Sequence, residues 1–343
     1  MAEGTLVDKR LFWAQENALP VPVRTVFRGI GQVFFQENAI TGILFAVGIA
    51  LSSPAMGFGA ILGAAIGPAL AWCFRFDKSE LSAGIFGFNS TLVGIATFFF
   101  FQPGGASLAL LAGGCIIATL LTRVMRTSVP FPTYTTPFIV TTWCLFFLGN
   151  AWKVVPVDPS QGPLLPTLHL GHFLDSTTNG IGQVMFQASL WTGLLFLCGI
   201  AINDRRHAAL VVAGSIIGML LASHHVSEAM KSLDPERLIE RNMFDNIRLG
   251  LYGYNATLVA VALFLWRRSL IPSLLGVLLT VPLTEMIPLA GLPALTAPFV
   301  LAAWLVMAIA AVEEKFGKKL GEKLFGPTAA PCKEEAEPST PSA

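Results

Sequence analysis

The side chains best placed to do chemistry in this sequence are neutral hydrogen-bonding groups that occur in matched pairs inside apolar stretches. They are Gln32 with Gln183, Asn89 with Asn255, Thr91 with Thr257, and Thr135 with Thr296. Ion-coupled carriers usually place carboxylates or histidines along their path. No symmetric set of such residues occurs in these stretches, where Glu285 is the main ionisable residue. The pattern predicts hydrogen bonding to a neutral solute rather than ion coupling or catalysis.

Aromatic residues accompany these polar groups at fixed spacing. Phe35 and Phe186 each follow a paired glutamine by three residues, which places ring and amide on one face of a helical turn. A second motif carries aromatic residues on both sides of a glycine in each copy, at Phe86, Phe88, Tyr252 and Tyr254. Flat rings beside a few hydrogen-bond acceptors favour a small planar solute. Urea, with four N–H donors and one carbonyl acceptor, meets these terms.

The matched pairs come from a duplication. Residues 28–50 and 179–201 are identical at 14 of 23 aligned positions, where average composition predicts about one or two. Two further pairs of segments correspond, 84–98 with 250–264 and 132–138 with 293–299. A position that serves only packing tolerates many different side chains. The same residue at matching positions of both repeats therefore favours a functional role. In a membrane protein, such a repeat predicts a pathway at the pseudo-symmetry axis.

The elements that carry these residues are membrane helices. The chain is 54% apolar and 13% charged, whereas soluble domains carry about 25% charged residues. The predicted spans are 39–56, 57–74, 84–101, 105–121 and 135–150, then 189–202, 208–222, 250–266, 269–283 and 295–312. An odd number of spans in the first repeat turns the second repeat upside down. We therefore predict an all-α membrane protein with ten transmembrane helices in two inverted-topology repeats of five spans.

Basic residues set the orientation. The short loops rich in lysine and arginine all fall on the side of the N-terminus, which the positive-inside rule assigns to the cytoplasm. They hold Arg75 with Lys78, Arg123 with Arg126, Arg205 with Arg206, and Arg267 with Arg268. The predicted organisation is a cytoplasmic N-terminal segment (1–23), a first pore repeat (24–150), an extracytoplasmic linker (151–178), a second pore repeat (179–313) and a cytoplasmic, partly disordered tail (314–343).

Segments 24–37 and 176–188 are too short and polar to cross a bilayer. Each directly precedes an apolar span. Broken or half-length helices occur in membranes only where they line a cavity or are buried in protein. We therefore expect re-entrant half-helices here. No metal or cofactor site is predicted, because the histidine pairs lack a third ligand at standard spacing.

The motifs of this sequence resemble those of the urea transporter family over about residues 24–313. They are RGxxQVxFQ followed by TGxLF, GxxGxNxTLV, and LPxLTxPF near the end. The resemblance implies a homotrimer with one pore in each protomer. It also implies outer and inner sites bounded by aromatic rings, with threonines at a central constriction. The family positions fall on Gln32, Phe35, Phe88, Leu92, Thr135, Gln183, Phe186, Tyr254, Leu258 and Thr296, with Phe86 and Tyr252 as alternatives to their neighbours.

The resemblance further implies passive, ion-uncoupled permeation of urea, and the short tails point to a prokaryotic member in a bacterial inner membrane. Two alternatives stay open. The first is a channel for another small neutral solute such as ammonia or formamide, or less favourably an ion-coupled carrier. The second is a structural or receptor protein that merely retained a duplicated helical scaffold. A flux measurement with labelled urea distinguishes them.

Overall fold

A computed structural model describes residues 16–157, 171–232 and 243–325. These residues form fourteen α-helices. In chain order they are α1 Val21–Gly31, α2 Ala39–Ser52, α3 Pro54–Cys73, α4 Lys78–Ser82, α5 Phe88–Phe100, α6 Gly105–Ser128, α7 Thr136–Ala151, α8 Gly171–Gly182, α9 Leu190–Asn203, α10 Arg205–Ser232, α11 Met243–Arg248, α12 Gly253–Arg267, α13 Leu270–Met286 and α14 Ala297–Phe325. Short 3₁₀ segments, Gln32–Phe34, Gln183–Met185 and Ile287–Ala290, follow α1, α8 and α13.

By internal packing the chain divides into one unit of residues 1–303 and a second of residues 304–343. The first unit contains every motif identified in the sequence. The second contains, among its described residues, the continuation of α14 to Phe325. Predictions for residues 1–15, 158–170 and 326–343 lie outside the described residues.

Helix lengths show two kinds of membrane element. Five helices are long and apolar enough to cross a membrane: α3, α6, α10, α13 and α14. Helices α2 and α9 have 14 residues each, or about 21 Å against a hydrocarbon core of about 30 Å. Each joins the short helix before it at a bend, of 76° and 73° respectively. Counting each bent pair as one span raises the total in the described chain to seven.

A helix lies in each of the ten predicted spans, and the all-α membrane fold with re-entrant elements is confirmed. The remaining three helices, α5, α7 and α12, are 13 to 16 residues long. Helices α5 and α12 are shorter than the segments predicted for them, because a turn occupies residues 84–87 and residues 250–252. The described part of helix α8, Gly171–Gly182, includes residues 171–178 of the predicted linker, because recognisable sequence identity to the first repeat starts only at residue 179.

Local hydrogen bonds fix the two bends. Phe35 and Phe186 adopt left-handed backbone conformations, with φ of 60° and 61°, which end the 3₁₀ turns. Three residues before α2 begins, the Gln36 amide donates to the Phe34 carbonyl, and Gln187 donates to the Met185 carbonyl at the matching place in the second repeat. The same short sequence therefore produces the same re-entrant turn twice.

Contacts between α2 and α9 show that the repeats are inverted. The Thr41 hydroxyl donates to the Gly199 carbonyl at 2.7 Å, and the Thr192 hydroxyl donates to the Gly48 carbonyl at 2.9 Å. The lower-numbered residue of α2 thus meets the higher-numbered residue of α9, and the reverse holds at the other end. Equivalent residues make equivalent bonds in antiparallel register, as a pseudo-two-fold axis between the helices requires.

A close backbone crossing explains the glycines of the second motif. A Cβ added to Gly87 would lie 2.9 Å from the Cα of Gly29 in α1. Gly84, with φ of 82°, turns the chain at this crossing, and Gly250, with φ of 77°, occupies the matching place in the second repeat. Positive φ and this proximity exclude a side chain. The re-entrant helix therefore packs directly on the turn that leads into α5.

Candidate functional site

Two threonines from opposite repeats meet inside the first unit. The Oγ1 atoms of Thr135 and Thr296 lie 2.7 Å apart, within hydrogen-bond distance. Both residues are 3% exposed. Two equivalent residues of a pseudo-symmetric pair can touch only across the axis that relates them. The sequence prediction of a central threonine pair corresponds to this position.

Neighbouring backbone holds the pair in place. Tyr134 and Leu295, the residues before the threonines, have left-handed φ values of 47° and 46°. Such values are uncommon for residues other than glycine and carry strain of about 1–3 kcal/mol. Because this strain recurs in both repeats, the surrounding structure must over-determine it. It directs each threonine side chain toward its counterpart.

The repeated asparagines supply part of that support. The Asn89 side-chain oxygen accepts from the Phe138 backbone N–H at 3.2 Å, and Asn255 accepts from Phe299 at 3.1 Å. These donors lie in the first turns of α7 and α14, where backbone N–H groups have no acceptor within their own helix. The asparagines therefore position the threonine segments by capping the helices that follow them.

Aromatic rings of the two re-entrant turns pack across the repeat boundary. The Phe35 ring lies 6.2 Å from the Phe299 ring, and the Phe186 ring lies 6.3 Å from the Phe138 ring. Each re-entrant turn therefore places its phenylalanine against the helix that follows the opposite repeat's threonine. Both Phe35 and Phe186 are half-buried, as Gln32 and Gln183 are.

A cavity of about 460 Å³ adjoins one side of the threonine pair. Its wall includes five of the predicted site residues, namely Gln183, Phe186, Tyr252, Tyr254 and Thr296. The other lining residues are Phe99, Phe100, Val184, Asn246, Leu251, Thr284, Glu285, Pro288, Leu289, Pro293, Ala294 and Leu295. Second-repeat residues form most of this wall, and Phe99 and Phe100 of α5 complete it.

The other predicted residues lie outside that lining. Gln32 donates its amide N–H to the Ala83 carbonyl at 2.9 Å. Leu92 and Leu258 are buried in α5 and α12. Phe86 is 1% exposed and its ring packs 5.2 Å from Phe76, whereas Phe88 is half-buried. Of the two first-repeat rings, Phe88 is therefore the better placed to meet a solute.

Tyrosine at position 254 makes the two repeats chemically unequal. Its hydroxyl donates to the Leu295 carbonyl at 2.6 Å, and the Asn255 amide reaches the same oxygen at 3.4 Å. In the first repeat the equivalent residue is Phe88, which has no hydroxyl to donate to the corresponding carbonyl, that of Tyr134. The tyrosine hydroxyl therefore bonds a backbone acceptor beside Thr296, and the first repeat has no equivalent hydroxyl beside Thr135.

Comparison with known protein families matches residues 23–311 to the urea transporter family. The chain belongs to that family. Among curated relatives, urea transporter 1 of sheep (Ovis aries) is 26% identical over 306 residues, which cover 83% of this chain and 76% of the sheep protein. Urea transporter 1 of goat (Capra hircus) matches equally well. The mouse protein (Mus musculus) is 24% identical over 253 residues, covering 69% and 62% of the two chains.

Membership settles the broad class of this urea transporter family member. The family consists of transport proteins, so the prediction that the chain is not an enzyme is confirmed. The prediction of a multi-pass membrane protein is also confirmed, by the apolar helices together with the family. Among the described residues, no three His, Cys, Asp or Glu side chains are grouped so as to hold a metal ion.

Some repeated polar residues of this urea transporter family member bond only locally. The Thr91 hydroxyl donates to the Gly87 carbonyl at 2.7 Å, and the Thr257 hydroxyl donates to the Tyr254 carbonyl at the same distance. Both acceptors lie one turn earlier in the same segment. Local helix structure therefore accounts for the recurrence of Thr91 and Thr257. Thr135 and Thr296 differ, because their hydroxyls contact each other across the two repeats.

Sequence reasoning missed part of the cavity wall. Phe99 and Phe100 belong to an unbroken phenylalanine run with no counterpart in the second repeat, so nothing in the pattern distinguished them from lipid-facing residues. Leu295 contributes through its carbonyl, which a side-chain pattern does not report. Glu285 did stand out as the main ionisable residue in an apolar stretch, and it lies on the wall.

Proposed function

We propose that this protein conducts urea passively, without ion coupling, through a pathway in each protomer that is narrowest between Thr135 and Thr296. The observation that carries the proposal is the contact of these two hydroxyls, 2.7 Å apart on the pseudo-two-fold axis. A path that follows the axis of inverted repeats passes this point. Solute passage requires the two side chains to separate or to exchange their mutual hydrogen bond for one to the solute.

Urea fits such a slot chemically. A dehydrated polar solute loses hydrogen bonds that are costly to leave unmade, and hydroxyl oxygens of the wall replace some of them. Rings that could cover the faces of a planar solute are supplied by Phe35 and Phe186, each of which packs against a phenylalanine of the opposite repeat. The wall thus replaces water around the edge of urea while the rings cover its faces.

We assign the path on the two sides of the threonines by the repeat. Gln32, Phe35, Phe88 and Leu92 form one side with Thr135. Gln183, Phe186, Tyr254 and Leu258 form the other with Thr296, and Tyr252 belongs to the cavity wall there. We omit Phe86 from the path, because its ring packs against Phe76. Phe88→Ala is expected to alter flux more than Phe86→Leu does.

Passive passage is supported by the neutrality of the residues assigned to the path. The test uses the purified full chain in proteoliposomes loaded with labelled urea. We expect efflux down the urea gradient with no sodium, proton or voltage gradient present. Efflux that appears only when an ion gradient is imposed would overturn this mechanism. Competition with formamide or ammonia would show whether another small neutral solute is preferred.

We further propose that the protein is a homotrimer in a bacterial inner membrane, with both termini cytoplasmic. The family resemblance supports the assembly, and the basic loops support the orientation. In that orientation the cavity of about 460 Å³ opens toward the extracytoplasmic side. Molar mass in detergent by light scattering tests the trimer. Labelling of single cysteines placed at Lys78 and at Asp175 with an impermeant reagent tests the orientation.

A further inference from the structure

We propose that the cavity beside Thr296 binds a planar organic cation of the amidinium or guanidinium class, held by the Glu285 carboxylate, and that such a cation blocks urea passage. Binding of the cation follows from the cavity alone. Blockage rests on the proposed function, since it requires that urea pass through the same space.

Glu285 gives this cavity its charge. It lies next to the end of α13, and among the described residues that line the cavity it alone has a carboxylate or a basic group. Its Oε1 atom is buried and has no hydrogen-bond partner in the described part of the chain. The three ion pairs formed among the described residues involve other carboxylates. A partly buried carboxylate with no basic side chain among the described residues of its cavity favours a ligand that brings positive charge and N–H donors.

The rest of the wall selects a flat ligand with an apolar part. Five aromatic residues line this cavity, and aromatic faces attract cations as well as apolar groups. They are Phe99, Phe100, Phe186, Tyr252 and Tyr254. The volume of about 460 Å³ lies in the range of about 300–1,000 Å³ typical of sites for small organic ligands. Urea fills a small fraction of that space. A phenyl ring attached to a planar cation uses both the apolar wall and the carboxylate.

The cation is held rather than conducted. Beyond the cavity the chain offers the contact between Thr135 and Thr296, where both groups are neutral. An ion loses far more solvation than urea does on entering such a slot. A cation that pairs with Glu285 therefore stays at the mouth of the path and occupies the space that urea must cross.

The probe is benzamidine, and its neutral isostere benzamide is the matched control ligand. Calorimetric titration of the purified full chain should show benzamidine binding at least about tenfold more tightly than benzamide, the low end for a charge-assisted hydrogen bond. Glu285→Gln should abolish that preference. Glu313→Gln removes the same charge at an exposed residue outside the cavity lining and should preserve it.

Urea efflux from proteoliposomes gives the second readout. Benzamidine should slow efflux through the wild-type chain at concentrations near its calorimetric dissociation constant, and Glu285→Gln should need at least about tenfold more. Equal binding of the two ligands to the wild-type chain, or no binding of benzamidine, overturns the proposal even if the variant does not fold. Tight binding without slowed efflux overturns the block. Absence of any urea efflux contradicts the proposed function and leaves the calorimetric result standing.

Discussion

Removal of the hydroxyl at one or both central threonines should rank the variants differently by urea flux and by stability. The double variant should have the lowest flux, whereas the single variants should be the least stable. Thr296→Val keeps the side-chain shape and deletes an oxygen that lies 2.7 Å from the Thr135 hydroxyl. If that oxygen replaces part of the hydration of urea, its loss costs roughly 0.5–1.5 kcal/mol in the barrier. At about 1.4 kcal/mol per factor of ten, urea flux should fall about two- to twelvefold, and Thr135→Val should act similarly.

The double variant separates transport from packing. Each single substitution leaves one buried hydroxyl without its partner, which costs about 1–3 kcal/mol of stability, whereas replacing both partners by apolar groups of the same shape is nearly neutral. The double valine variant should therefore unfold at a temperature close to wild type. Its urea flux should nevertheless be the lowest of the three, about 4- to 150-fold below wild type if the two effects add, with deviations expected for residues in contact.

The assays are stopped-flow urea efflux from proteoliposomes and thermal unfolding of the same preparations. Thr97→Val serves as the control, since the Thr97 hydroxyl is buried but donates to the Val93 carbonyl of its own helix at 2.8 Å. It should leave flux unchanged. Wild-type flux in the double variant would show that the two threonines do not line the path. Flux that falls in the singles and recovers with stability in the double would show that they act only through packing.

Two further predictions concern stability. Arg28→Met breaks a buried ion pair and leaves Glu16, which is 1% exposed, without its cation. It should lower the free energy of unfolding by about 3–5 kcal/mol, as measured by denaturant or thermal unfolding. The control Arg126→Met, at a partly exposed ion pair, should cost at most about 1 kcal/mol. Gly87→Ala places a Cβ against the backbone of α1 and should severely lower both the folded yield and the urea flux. Gly113→Ala, where a Cβ meets nothing within 4 Å, should be neutral or slightly stabilising. Equal yields of the two alanine variants would contradict the close crossing.

The re-entrant turns show how much local sequence predicts. The short polar segments before two apolar spans were recognisable as half-helices, because polar backbone and Gly-rich stretches cannot face lipid. The chain bends there by 76° and 73°. The starting residues were less predictable. Helix α8 includes residues 171–178, which were predicted as linker, since helices tolerate sequence divergence that removes the visible match.

The threonines show where pattern reasoning stops. Thr91 and Thr135 both recur in the second repeat and both lie in apolar surroundings. In the folded chain, Thr91 bonds to its own segment, whereas Thr135 meets a residue 161 positions away. A hydroxyl in an apolar helix always has a local carbonyl within reach. Only the packing of the two repeats shows which hydroxyl points away from its own backbone.

By itself, the sequence determined the class, the duplication, the inversion and the family. These depend on composition, on the odd number of spans and on motifs that are local in the chain. Tertiary structure decided which repeated residues meet, that Asn89 and Asn255 cap helices, and that Phe99 and Phe100 join a wall made mostly by the other repeat. The physical reason is that helical periodicity assigns a residue to a face, while its neighbour depends on bends and crossings set jointly by both repeats.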